Sequence, residues 1–107
     1  MVTDKIVVLT TCNSQEQGAQ LARHLIEHRL AACVNILAGA RSFYRWKDEI
    51  QNSEEVVLII KSRRDTFDKL REAIAHLHSY EIPEVIALPI TDGSEAYLNW
   101  LDREMAS

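Results

Sequence analysis

The chain has few glycines and cysteines and no excess of basic residues, and each shortage excludes a class of protein. The three glycines, Gly18, Gly39 and Gly93, are scattered, so the sequence has no glycine-rich phosphate-binding loop. Two cysteines in 107 residues are too few for a disulfide framework, which favours a reducing compartment. The formal net charge of −4 argues against a nucleic-acid module, because such a module needs a clustered basic surface.

Long apolar runs are also missing. The first apolar run extends only from Ile6 to Leu9, shorter than the apolar segment of a signal peptide, and no run approaches the ~20 residues that cross a bilayer. We therefore expect a cytoplasmic protein whose partners include neither nucleic acid nor membrane. A chain of 107 residues with 47% hydrophobic content can build one packed core, so residues 1–107 are predicted to form a single domain.

Hydrophobic periodicity predicts alternating strands and helices. Apolar, β-branched runs predict strands at 5–10, 33–37, 56–60 and 84–90, with a bend at 38–40 before an aromatic continuation of the second strand. Helical spacing predicts helices at 14–28, 65–76 and 94–105, the first capped by Ser14 and the second by Asp65. The order β-α-β-β-α-β plus a C-terminal helix is the signature of an α+β, ferredoxin-like split βαβ domain.

The second and third strands are predicted to extend into a long hairpin across residues 41–54, with polar reversals at 48–49 and 51–53. Phe43, Tyr44 and Trp46 lie on it, and strand alternation separates Phe43 from the other two, so one aromatic face lacks cover within a monomer. An exposed aromatic edge hairpin predicts an interface. The alternative is that the terminal helix folds over these side chains.

Four fragments occur in one order: LAACVNI at 30–36, SFYRW at 42–46, HSYEIPE at 78–84 and YLNWL at 97–101. In these fragments and their spacing the chain resembles the CutA family of divalent-cation tolerance proteins. The family usually has glycine at the position of Asp48 and proline at that of Ser79, and both differences affect local turns. The resemblance implies a homotrimer whose edge strands pair between subunits, with an interface formed by four aromatic residues: Phe43, Tyr44, Trp46 and Trp100.

Copper is the metal that the resemblance implies. In family members with a copper site, the ligands are a cysteine at the end of the first strand and a histidine pair. Thr10 and Leu77 stand at the cysteine and first histidine positions here, so only His78 carries over. Cys12 returns to the same strand face as Thr10 and is the candidate second ligand, while a buried, inert thiol is the alternative. No obligatory cofactor is expected; copper or another divalent cation is the candidate ion.

His24 and His28 form another histidine pair, at i and i+4 on the first predicted helix. This spacing can chelate a divalent ion. No third ligand is fixed nearby by the sequence, so an ordinary solvated helix face is the favoured interpretation.

A polar cluster surrounds His78. Tyr80, Glu81 and Glu84 follow it closely, and Lys61, at the position of a lysine common in the family, is expected to point its ammonium towards the same region. Such a cluster can bind a cation or a small polar ligand, or it can form hydrogen bonds between subunits, and both interpretations remain open.

The expected function is non-enzymatic. The sequence has no Gly-x-Ser-x-Gly elbow, no His-Glu-x-x-His pair and no closed zinc ligand set. By resemblance the protein serves divalent-cation tolerance, with a similarity to trimeric PII signal-transduction proteins, which respond to small ligands in clefts between subunits. One alternative is a structural or anchoring trimer. Another is a small hydrolase of the acylphosphatase kind, for which Arg41 and Asn35 are the local candidates, although the glycine-rich anion cradle is missing.

Overall fold

The computed structural model describes residues 3–106, which form a four-stranded sheet and three α-helices. The strands are β1 (Lys5–Cys12), β2 (Cys33–Trp46), β3 (Glu49–Arg63) and β4 (Ile86–Pro89), and the helices are α1 (Gln15–Glu27), α2 (Phe67–Leu77) and α3 (Glu95–Met105). The sheet order is β2-β3-β1-β4 with every neighbouring pair antiparallel, which confirms the ferredoxin-like prediction. Within residues 3–106, no helix has both the length and the apolar character needed to span a membrane.

The core lies between one face of the sheet and the helices α1 and α2. Alternate side chains of β1 and β3 meet apolar residues of the two helices there, and the most deeply buried members of this cluster are Val8, Cys12, Leu21, Leu25, Leu58, Ile60, Leu70 and Ile74. Full burial of one such aliphatic side chain contributes ~1.5–3 kcal/mol. Gly18 lets α1 approach the sheet closely, because a Cβ there would lie 3.2 Å from Leu58 Cδ1.

Helix α1 begins as predicted, with the Ser14 hydroxyl accepting a hydrogen bond from the Gln17 backbone N–H at 3.1 Å. The Gln17 side chain bonds elsewhere: its oxygen accepts from the Ser79 hydroxyl at 3.3 Å, which joins α1 to the segment after α2.

The predicted cap of α2 by Asp65 is wrong. The chain enters α2 through a short 3-10 turn, Arg64–Thr66, which places Asp65 inside the turn, where its carboxylate accepts from the Thr66 hydroxyl at 3.1 Å. Thr66 is the N-cap residue and makes no side-chain cap hydrogen bond.

The hairpin of β2 and β3 is the longest feature of the fold, with strands of 14 and 15 residues. Pairing of β3 with β1 ends at Cys12 and Val56, so the first half of β3 pairs only with β2 and projects as an arm. The predicted bend is confirmed by a register shift between Leu37 and Ala40, where Gly39 has φ +88°.

The chain reverses only once in this hairpin. Residues 51–53, predicted as part of the reversal, belong to β3, and the turn lies at Lys47 and Asp48. These two residues have φ of 51° and 67°, the left-handed pair that a two-residue hairpin turn requires. Strand β4 is likewise shorter than predicted, because its pairing with β1 covers only residues 86–89.

The second face of the sheet has no helix over most of its area. By strand alternation it carries a set of apolar side chains, here called the open apolar face: Val7, Leu9, Leu37, Val57, Ile59, Ile86 and Leu88. Leu37, Ile86 and Leu88 are 49%, 50% and 49% exposed.

Helix α3 lies at one end of the sheet, far from the hairpin turn. Asp102 of α3 forms ion pairs with Lys5 (3.3 Å) and Arg63 (3.6 Å), which face each other at the beginning of β1. The alternative in which this helix covers the hairpin aromatics is therefore wrong, and Phe43 is 67% exposed.

Replacing Asp48 with glycine should stabilise the hairpin turn. A left-handed backbone costs a residue with a Cβ ~1–2 kcal/mol, whereas glycine adopts it freely at some cost in unfolded-state entropy. We therefore expect Asp48→Gly to raise the free energy of unfolding by roughly 0.5–1 kcal/mol. Urea denaturation at one fixed chain concentration measures it. Asp48→Ala keeps the Cβ and is the matched control; an equal gain in that variant would contradict the backbone explanation.

Candidate functional site

A cleft of about 590 Å³ lies between the hairpin arm and the segment 78–84, just beyond the end of β1. We call it the hairpin cleft. Its walls combine carboxylates with aromatic rings and small polar groups: Thr11, Asn13, Ser42, Phe43, Tyr44, Trp46, Ser53, Glu54, Glu55, Tyr80, Glu81, Ile82 and Glu84. Of the predicted ligand residues, the structure brings Tyr80, Glu81 and Glu84 together here.

Tyr80 and Glu55 form the central polar contact of the hairpin cleft. The Tyr80 hydroxyl donates to Glu55 Oε2 at 2.5 Å, and Glu55 is only 6% exposed. Burial is the largest cause and this hydrogen bond the second of a pKa of Tyr80 that is raised far above its usual value. The phenol therefore stays a neutral donor. The contact joins the arm to the segment after α2.

His78 is held by two backbone hydrogen bonds. Its Nδ1 accepts from the Tyr80 backbone N–H at 3.0 Å, so the ring proton of the neutral side chain is on Nε2, which donates to the Thr11 carbonyl at 2.6 Å. The ring also packs against that of Tyr80, with centroids 4.6 Å apart. Metal coordination by His78 therefore requires one of these two bonds to break.

Cys12 is fully buried and belongs to the hydrophobic core. Burial, with a smaller contribution from nearby Glu55, raises the pKa of Cys12 to about 11, so the thiol is protonated at neutral pH. Thr10, at the family's cysteine position, is also buried, and its hydroxyl is a poor ligand for a soft ion. Among residues 3–106 no group of three or more His, Cys, Asp or Glu side chains is arranged to hold a metal. The copper site of His78 and Cys12 stays a prediction.

Lys61 does not reach the hairpin cleft. It pairs with Cys33 and Val7 in the middle of the sheet, and its ammonium donates to the side-chain oxygen of Asn35. The expectation that Lys61 points towards the His78 region is therefore wrong, because its position along β3 is several residues from the arm.

The two candidate residues of a small hydrolase are also separate. Asn35 accepts from Lys61, whereas Arg41 donates to the Asn52 side chain at 3.0 Å on the arm. They lie on opposite sides of the register shift in β2, so the structure does not assemble an anion site from them.

The predicted interface residues fall into two places. Phe43, Tyr44 and Trp46 lie together on the arm and are 67%, 46% and 37% exposed. Trp100 lies on α3 beside Tyr97, with ring centroids 5.5 Å apart. Within one chain, Trp100 is therefore not part of the same surface as the three arm residues.

Glu55 is the central residue of this candidate site that the sequence did not indicate. It stands immediately before the apolar run of β3, where a glutamate is expected to be solvated. Its burial depends on a contact with Tyr80, 25 residues away in the sequence. The feature of the sequence that could have indicated it is the acidic pair Glu54-Glu55, which lies on a strand long enough to project from the sheet.

Comparison with known proteins finds relatives over nearly the whole chain. A model of the family described as "CutA1 divalent ion tolerance protein" matches residues 6–104. The "Divalent-cation tolerance protein CutA" of Thermus thermophilus is 46% identical over 95 residues, which cover 89% of this chain and 92% of that protein. "Protein CutA, chloroplastic" of Arabidopsis thaliana is 47% identical over 96 residues, covering 90% of this chain and 53% of that protein, so the chain spans about half of its length.

A solved structure shows the same fold. The crystal structure of CutA from Xylella fastidiosa superposes with a TM-score of 0.95 at 34% identity, covering 97% of this chain and all 100% of that one.

Removing the Tyr80 hydroxyl should destabilise the protein at neutral pH. Tyr80→Phe leaves the buried Glu55 carboxylate without this donor, so we expect the free energy of unfolding to fall by roughly 1–3 kcal/mol. The pKa of Tyr80 in the folded protein is raised above its usual value of 10.0. The contribution of the hydroxyl is therefore full below that pH and is lost as the pH rises above it. Urea denaturation at about pH 7 and about pH 10.5 measures the free energy of unfolding of the parent and of Tyr80→Phe. The difference between the two proteins should be smaller at the higher pH. Tyr44→Phe, a half-exposed tyrosine of the same cleft, is the control, and equal losses in both variants would contradict the assignment.

Proposed function

Because the chain belongs to the CutA1 divalent ion tolerance family, we propose that it serves divalent-cation tolerance as a non-enzymatic homotrimer that binds a cation or a small polar ligand in the hairpin cleft. The observation that carries the proposal is the open apolar face, which is left without helices beside this cleft. The trimeric state, the ligand-binding role and the lack of catalysis all go beyond what family membership shows.

Assembly is supported by exposed apolar area and by free strand edges. Half of each side chain of Leu37, Ile86 and Leu88 is in contact with water, an arrangement that a partner subunit would relieve. The first half of β3 pairs on one side only, so its other edge offers backbone groups to a second chain. Apolar contact and strand addition therefore act on neighbouring parts of the same sheet.

Cation or ligand binding is supported by the composition of the hairpin cleft. Among residues 3–106, four carboxylates line it, from Glu54, Glu55, Glu81 and Glu84, and no lysine or arginine does. Such a cleft attracts positive charge, and carboxylate oxygens are the ligands that hard divalent cations prefer. Glu55 is two residues from Val57 of the open apolar face, so assembly would reshape the cleft and couple ligand binding to trimer contacts, in the manner of PII proteins.

A binding role fits the hydrogen bonding of His78 better than catalysis does. Both ring nitrogens bond to the backbone of Thr11 and Tyr80 rather than to Ser42, whose hydroxyl lines the cleft. A general base must be within hydrogen-bond reach of the proton that it abstracts. This geometry favours the ligand-binding trimer over a hydrolase.

Copper binding through His78 and Cys12 is the second candidate. It is favoured by their common place at the end of β1, where His78 bonds to the residue before Cys12. It requires a hydrogen bond of His78 to break and a buried thiol to lose its proton, so we rank it below the carboxylate cleft.

Both cysteines are free thiols, which supports our proposal of the reducing cytoplasm as the compartment.

The assembly proposal is tested by mass. Light scattering at micromolar concentration should return about three times the chain mass of 12.2 kDa. Leu88→Glu and Trp46→Glu should both lower this mass, because each places an unpaired charge in an apolar contact. Ile26→Glu is the matched control, since Ile26 of α1 is 41% exposed but lies away from the open apolar face. A parent protein that is monodisperse at 12.2 kDa would rule out the trimer.

The cleft proposal is tested by comparing a hard and a soft ion. Mn²⁺ prefers carboxylates, so its affinity should fall about tenfold or more in the Glu81→Gln, Glu84→Gln double variant and far less in His78→Ala, Cys12→Ala, which keeps all four carboxylates of the cleft. Calorimetry measures both. The copper candidate predicts the reverse for Cu⁺, with binding lost only in the His78→Ala, Cys12→Ala variant. An equal Mn²⁺ affinity in the parent and in the Glu81→Gln, Glu84→Gln variant would contradict cation binding by these glutamates.

A further inference from the structure

The two histidines of α1 are arranged as a pair on the surface of the helix. His24 and His28 are one turn apart, and their rings stack with centroids 4.0 Å apart and planes inclined by 25°. Residues at i and i+4 have Cβ atoms about 5–6 Å apart, which is the spacing of helical bis-histidine metal sites. His28 is exposed and His24 is partly exposed, so an ion can reach both rings from solvent.

The hydrogen bond of His28 leaves its Nε2 available to a metal ion. Its Nδ1 lies 2.9 Å from the His24 backbone carbonyl. A carbonyl oxygen can only accept, so Nδ1 carries the proton and Nε2 of the neutral ring has a free lone pair. Metal-ligating histidines usually donate the other ring N–H to a carbonyl or carboxylate in this way, which orients the ring before the ion arrives.

The electrostatic surroundings favour a cation. His28 is the C-cap of α1, where the carbonyl end of the helix carries partial negative charge. A shallow groove of about 360 Å³ runs along the same helix beside His24, and its charged members are Glu16, Glu27 and one opposing base, Arg23. The net charge of these groove side chains is therefore negative, in keeping with a site for a positive ion.

We propose that His24 and His28 form a surface site for a divalent transition-metal ion such as Cu²⁺, Ni²⁺ or Zn²⁺. Two imidazole nitrogens at ~2.0–2.1 Å from the metal are separated by ~3 Å when they bind at a right angle. The side chains have to rotate out of the stacked arrangement so that the two nitrogen lone pairs converge on the ion. Water molecules complete the coordination, because no third His, Cys, Asp or Glu of residues 3–106 joins the pair. Affinity should follow the general order in which Cu²⁺ binds more tightly than Ni²⁺ or Zn²⁺.

This site is independent of the hairpin cleft. It shares no residue with the cleft, with the open apolar face or with the His78 and Cys12 candidate site. A result that contradicts the cleft proposal would not affect the proposal for His24 and His28, and a result that contradicts the latter would not affect the cleft proposal.

The test is a Cu²⁺ titration of the full chain, followed by electron paramagnetic resonance and by competition with a chromophoric chelator. The parent should bind Cu²⁺ with a nitrogen hyperfine pattern from two imidazoles, which the carboxylates of the hairpin cleft cannot produce. His24→Ala and His28→Ala should each weaken this binding by roughly tenfold or more, because one ligand of the chelate is lost. His78→Ala and the Glu81→Gln, Glu84→Gln variant should leave the two-imidazole hyperfine pattern unchanged.

Two controls separate chelation from the mere presence of histidines. The Ile26→His, His28→Ala double variant keeps the number of histidines on α1 but places them at i and i+2, where they do not face each other, so it should bind as weakly as His28→Ala. His76→Ala removes an isolated histidine from α2 and should bind as the parent does. Circular dichroism and light scattering verify that each variant keeps its fold and its mass. A parent that takes up no Cu²⁺, or a double variant that binds as tightly as the parent, would overturn the proposal.

Discussion

The central strands of this sheet are apolar on both faces, whereas helices cover one face fully and the other only at one end. Val8 and Ile60 are completely buried under α1 and α2, while their neighbours Val7 and Ile59 face the other way. Burial of the first face stabilises the domain, and the second face keeps the same kind of side chain in contact with water. The fold of one chain therefore leaves a large apolar area without a partner, and this imbalance governs most of the remaining architecture.

The length of the hairpin has a separate consequence. Because β3 continues past the end of β1, the arm forms a wall against which the segment after α2 can pack. That packing buries Glu55, a costly step that the Tyr80 hydroxyl offsets by donating a hydrogen bond. His78 then fixes the backbone of Tyr80 and ties it to β1 through Thr11. The hairpin cleft is thus built from contacts between elements that are distant in the sequence.

Local patterns in the sequence predicted the elements well, because strands and the first helix depend on periodicity and capping. Ser14 is an example, since its hydroxyl caps α1 as the spacing to Gln17 indicated. Errors arose where a tertiary contact decides. Asp65 fits a cap by type, but a 3-10 turn takes it out of position, and Lys61 bonds to Asn35 rather than pointing to the cleft. Glu55 could not be predicted as buried, because its partner is far away in the chain.

The three candidate sites for ions differ in what their ligands must give up. His78 and Cys12 would lose a backbone hydrogen bond and a tightly held proton before they could coordinate a soft ion. The exposed cleft carboxylates, those of Glu54, Glu81 and Glu84, and the two imidazoles of α1 reach solvent and need no such rearrangement. They suit ions of different chemistry, because oxygen ligands favour hard cations and imidazole favours copper, nickel and zinc. Under these two proposals, divalent ions of both classes would bind at the surface without disturbing the core, and the buried thiol would remain a packing group of the sheet.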